Sequence, residues 1–70
     1  MATLMRLARE AKGIRQFDLA IKVGCSPGTL SLIENGQAQP AADLARSIAA
    51  ALGLEVFDLF PKLKEAKDAH

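Results

Sequence analysis

Apolar and small residues recur along this chain at intervals of three and four, the spacing of one helix face, and the runs break at glycines. Thr3 can cap a first helix in which Leu4, Leu7, Ala8 and Ala11 share a face, with Gly13 at its end and a basic opposite side. Leu19 and Val23 share one face of a second helix opened by Gln16, and Leu30 and Ile33 share one face of a third. Gly24 stands between them, where the backbone can take a positive φ, and Ala20 is small where the third helix must approach closely. Ser26 offers its hydroxyl oxygen to the first amides of the third helix. Pro27 follows at the first helical position, where a missing N–H costs nothing. The pattern thus predicts two short helices crossing at a tight turn, each too short to be stable alone.

Beyond the polar loop Gln37-Ala38-Gln39, Pro40 with Asp43 a turn later marks the start of a fourth helix. Its buried stripe is Leu44, Ala45, Ile48, Ala49 and Leu52, and Gly53 ends it. Leu54, Val56, Leu59 and Phe60 supply a short fifth helix or a turn before Pro61. All elements are helical, so the expected fold class is all-α.

At 70 residues, 50% of them hydrophobic, the chain can build one domain with a modest core. With a single cysteine it has no intrachain disulfide. Cys25 and His70 complete no metal set, and Cys25 reads as a small apolar core residue. No nucleophile–base pair is evident, so neither an enzyme nor a cofactor is expected. There is no apolar run of about 18 residues, which predicts a soluble protein of the reducing cytoplasm without a signal peptide or membrane span.

The net charge of +1 conceals an uneven distribution. Residues 1–23 hold Arg6, Arg9, Lys12, Arg15 and Lys22 against Glu10 and Asp18, whereas residues 24–61 hold Arg46 against Glu34, Asp43, Glu55 and Asp58. The basic end is the expected phosphate-facing side. Few basic contacts per copy predict weak binding with a shallow salt dependence, so that affinity needs two copies.

The order and spacing of Gly13-Ile14-Arg15-Gln16, Leu19-Ala20, Val23-Gly24, Cys25-Ser26, Leu30-Ser31, Ile33-Glu34-Asn35-Gly36, Pro40 and Ala50-Ala51-Leu52-Gly53-Leu54, followed by Leu59-Phe60, carry a resemblance. From about Leu4 to Phe60 the chain resembles the phage Cro and repressor type, XRE-like helix-turn-helix family. That resemblance implies a compact five-helix lambda-repressor-like domain over residues 1–61, with residues 62–70 as a charged tail. It further implies a DNA-binding transcriptional regulator acting as a symmetric dimer on a palindromic operator, with the third helix in the major groove.

On this resemblance the phosphate-contacting residues are Arg9, Arg15, Gln16, Asn35, Gly36 and Gln37, with loop amides after the third helix able to take a phosphate, to cap that helix, or both together. Base readout falls to Pro27, Gly28, Thr29, Ser31 and Leu32. Arg9 and Glu34 are implied to face each other as an architectural pair. Phe57 stands where the family usually carries a polar residue; it marks a dimer contact, or else folds back on its own core.

The chain departs from the family in two places. None of the outward positions of the third helix carries Arg, Lys, Gln or Asn, the side chains that make bidentate contacts to guanine or adenine, so direct readout should be sparse. Arg15 stands where a Ser or Thr usually caps the second helix, a loss that Asp18 or water can offset. A different function class is therefore also open: a protein-interaction module that keeps the fold with reduced base reading.

Overall fold

The computed structural model describes residues 3–61, which form five helices: α1 (Leu4–Ala11), α2 (Gln16–Val23), α3 (Pro27–Glu34), α4 (Ala42–Leu52) and α5 (Val56–Leu59). The charged tail assigned to residues 62–70 lies outside the described residues. Leu19, Leu30, Ile48 and Leu52 are fully buried and, with Met5, Ala20, Ile33, Ala45 and Phe60, form one core. Helix α4 is its organising element. Its buried stripe Ala45, Ile48, Ala49 and Leu52 recurs at helical spacing, and α1, α2 and α5 all pack against it. Helix α3 reaches the core chiefly through α2.

Local chemistry fixes the turn between α2 and α3. Gly24 takes φ +82°, its amide donates to the Ile21 carbonyl at 3.3 Å, and the Cys25 amide donates to the Ala20 carbonyl at 3.0 Å. These bonds satisfy two of the last four carbonyls of α2, those of Ala20 and Ile21, and reverse the chain within a few residues. Gly24→Ala costs about 1–2 kcal/mol through the left-handed backbone alone, because nothing lies within 4 Å of the added Cβ. Gly28→Ala, inside α3 with a helical φ and equally open space, gains about 0.5–1 kcal/mol. Thermal melting of the two variants should shift in opposite directions.

Three expectations need correction. The apolar face of α1 is not Leu4, Leu7, Ala8 and Ala11. Met5 and Arg9 are buried with Ala8 packed beside them, while Leu4, Leu7 and Ala11 are exposed. Arg9 causes the difference, since its guanidinium reaches a buried carboxylate on α3 and rotates the helix to do so. The basic side expected opposite the apolar face accordingly loses Arg9 to the interior. Pro40 does not open the fourth helix either: it is buried before Ala41, which occupies the cap position without any side-chain cap bond.

Candidate nucleic-acid interface

Helix α3 is framed at its start by chemistry visible in the sequence. The Thr29 amide donates to the Ser26 hydroxyl oxygen at 3.1 Å, the Ser26 hydroxyl donates to Thr29 Oγ1 at 2.9 Å, and Pro27 occupies the first turn. Leu30, Ile33 and Glu34 face inward. Pro27, Gly28, Thr29 and Leu32 are exposed, Leu32 at 47%, and Ser31 is half-buried at the edge of that surface. The turn therefore presents one face of α3 outward while holding the other in the core.

Behind this helix lies a buried polar network. Arg9 is 8% exposed and Glu34 2%. Arg9 Nε donates to Glu34 Oε2 at 2.5 Å, Nη2 to Oε1 at 3.4 Å and Nη1 to the Ile14 carbonyl at 2.7 Å. Gln16 Nε2 donates to Glu34 Oε1 at 3.3 Å. The carboxylate is thus shared by α1 and α2, and no buried side-chain polar atom among the described residues lacks a partner. Arg9, placed by its resemblance on the DNA backbone, has its donors turned inward and little surface to offer a phosphate. Gln16 is half-buried and anchored through its amide nitrogen at the start of α2. Its tie to Glu34 has no signature in the local sequence, because the partner lies 18 residues away.

The segment after α3 takes up the capping role open to it. The amides of Asn35, Gly36 and Gln37 donate to the carbonyls of Ser31, Ile33 and Leu32 at 3.0, 3.1 and 2.9 Å. All three are committed to ending the helix, with Gly36 at φ +77°. Of the two roles weighed for these amides, capping is the one observed. Gly36, without a side chain, thus has no donor for a phosphate, and the exposed side chains of Asn35 and Gln37 remain as donors.

Three of the cations in residues 1–23 are paired: Arg6–Glu10 at 3.3 Å and Arg15–Asp18 at 3.2 Å locally, and Arg9 with Glu34 in the interior, so that Lys12 and Lys22 carry the remaining basic excess. Arg46 pairs with Asp43 on α4. The Arg15–Asp18 pair spans the first turn of α2, which no side chain caps. Exposed pairs of this kind contribute little to stability and leave Arg15 accessible. Lys12 extends its ammonium group over Gly53 at the end of α4, where the helix dipole favours a cation. Lys22, on α2, makes no ion pair among the described residues. Cys25 is half-buried, and burial pushes its thiol up, away from the reactive thiolate. Phe57 is exposed on α5 between the half-buried Val56 and Leu59.

A short helix presented outward from a capped tight turn defines a helix-turn-helix protein. Residues 1–58 match the helix-turn-helix domain family, and the chain belongs to it: a family of DNA-binding proteins, not of enzymes. A protein of Methanothermobacter thermautotrophicus described as an uncharacterized HTH-type transcriptional regulator is 41% identical over 61 residues, covering 86% of this chain and 88% of that protein. The crystal structure of the clp gene regulator ClgR from Corynebacterium glutamicum superposes with a TM-score of 0.72 at 31% identity, covering 93% of this chain and 76% of the other. No helix among the described residues is long and apolar enough to cross a membrane.

Proposed function

We propose that this chain is a sequence-specific transcriptional regulator of the cytoplasm that binds a palindromic DNA operator as a symmetric dimer and acts by occluding or positioning polymerase. The observation that carries this reading is the exposed face of α3, Pro27, Gly28, Thr29 and Leu32, which serves no packing role yet is held rigidly by the turn. Gly28 weakens the helix although a Cβ would fit there, as expected of a position that must admit another backbone closely. The regulators to which the chain is similar support the same reading.

In this reading α3 lies in the major groove. Thr29 and Ser31 offer hydroxyls that can bond to either base partner, and Pro27 and Leu32 offer apolar contact to thymine methyls. Arg15, Gln16, Asn35 and Gln37 hold the phosphates on either side, and Arg9 acts from behind by fixing Glu34 and so the amide of Gln16. Each copy neutralises few phosphates, so the salt slope per copy is shallow and the second copy is needed for affinity. Phe57 on α5 joins the copies, with their recognition helices about 34 Å apart, one turn of DNA.

Selection from a random DNA pool tests this directly. An enriched palindrome is the expected result, and no enrichment even at low salt overturns the reading. Sedimentation of Phe57→Glu beside the wild type should show a smaller assembly than the wild type forms, and equal masses for the two overturn the α5 contact. A protein-interaction module remains the second reading, favoured by the exposed Leu32 and by a groove-facing surface without Arg, Lys, Asn or Gln.

A further inference from the structure

Helix α2 carries a second exposed surface that DNA reading does not use. Phe17 and Ile21 are 60% and 64% exposed, and at a spacing of four they stand one above the other as a single apolar ridge. Asp18 and Lys22 run beside it with the same spacing, and Asp18, although it accepts from Arg15 at 3.2 Å, keeps 53% of its side chain exposed, so one flank carries a carboxylate and, a turn on, an ammonium group. Such an arrangement complements itself when reversed. From the ridge and its flanking charges we infer that α2 docks against α2 of a second copy of this chain, antiparallel about a two-fold axis at the level of Ala20.

About that axis a residue at position i lies level with position 40 − i of the other copy. Asp18 therefore sits opposite the partner's Lys22, and Lys22 opposite the partner's Asp18, giving two identical pairs. Along the helices the order becomes Phe17, the partner's Ile21, Ile21, the partner's Phe17, at steps of about 3 Å, so the apolar side chains interdigitate rather than collide. A parallel two-fold arrangement would put the two charged flanks on opposite sides of the interface, where no Asp18–Lys22 pair forms. The chain's own C-terminal segment is a poor occupant for the ridge: residues 62–70 contain only Leu63, Ala66 and Ala69 as apolar residues. The contact is distinct from the one proposed at Phe57, and together the two would link operator-bound dimers side by side.

Sedimentation equilibrium in a Phe57→Glu background separates this contact from the α5 one. Concentration-dependent dimers should persist there, and Phe17→Glu should weaken them at least tenfold. Lys22→Asp alone, which sets aspartates against each other, should weaken them several-fold, while the exchange of both residues, Asp18→Lys with Lys22→Asp, should restore association. Circular dichroism confirms folding of each variant. As a check in which Phe57 is intact, the wild type should form species heavier than a dimer and the Phe17→Glu variant should not. Monomers throughout in the Phe57→Glu background, with no wild-type species above a dimer, overturn the inference, as does association that survives Phe17→Glu. Association lost in the single reversal and not recovered in the exchange also overturns it.

Discussion

Arg9→Ala should lower the stability of the folded chain by about 3–5 kcal/mol, the loss expected when one partner of a buried ion pair is removed. Glu34 is 2% exposed and receives two hydrogen bonds from the Arg9 guanidinium. Without them, the single bond from Gln16 at 3.3 Å must support a carboxylate cut off from water. The Ile14 carbonyl also loses its donor, and the contact from α1 to α3 goes with it. Arg9→Lys should recover only part of the loss, because an ammonium cannot present the fork that meets both carboxylate oxygens and a carbonyl at once. Replacing both members with apolar residues, Arg9→Met with Glu34→Leu, should recover most of it, since no charge is then buried alone. Gln16→Ala should cost about 0.5–1.5 kcal/mol, the range for one hydrogen bond. Chemical denaturation of the four variants measures each value. If Arg9→Ala unfolds at the wild-type midpoint, the network is not what joins α1 to α3.

The turn and its caps were legible because their causes lie within a few residues of one another. Ser26 followed by Pro27 supplies a cap and a pre-set φ for a helix start, and Gly24 is the residue that a left-handed turn favours. The alanine at position 20 likewise announced a close helix approach and is fully buried. The rotation of α1 was not legible from hydrophobicity. Its two leucines favour the opposite face, and the residue that decides the matter is an arginine whose partner lies 25 residues away. Only the family resemblance pointed to that pair. The start of α4 escaped for a different reason. Pro40 suits the first turn of a helix as well as the residue before its cap, and Ala41 and Ala42 carry no capping group to choose between them.

The interface was legible in outline and less so in its donors. Side chains that point outward on α3 follow from the buried positions Leu30 and Ile33, and four of the five expected are exposed, with Ser31 half-buried. Whether a backbone amide is available cannot be read in this way. The amides of residues 35–37 depend on how α3 ends: those of Asn35 and Gly36 continue the helical bonding, and the left-handed Gly36 folds that of Gln37 back onto the Leu32 carbonyl. Charge was similarly misleading when counted along the chain. Glu34, from outside residues 1–23, holds Arg9 in the core, so the field offered to DNA is smaller by that one cation than the local excess suggests.

Leu30→Ala and Leu32→Ala should separate fold from recognition within a single turn of helix. Leu30 is fully buried and, with Ile33 and Glu34, is all that α3 contributes to the interior. Its truncation should cost about 2–5 kcal/mol, the sum of lost transfer energy and an unfilled cavity. Because an eight-residue helix cannot persist without its packing, DNA binding should fall in proportion to the loss of folded protein. Leu32, two positions on, is nearly half exposed on the opposite side. Leu32→Ala should leave the melting temperature within the narrow range of surface substitutions, about ±0.5 kcal/mol. In the proposed complex it should instead relax preference at one base pair of each half-site by about 1 kcal/mol, roughly fivefold, through loss of contact with a thymine methyl. Melting curves combined with binding to operators altered one position at a time distinguish the two residues. A melting loss for Leu32→Ala as large as that for Leu30→Ala would place Leu32 in the core, and the outer face of α3 would no longer be a groove-reading surface.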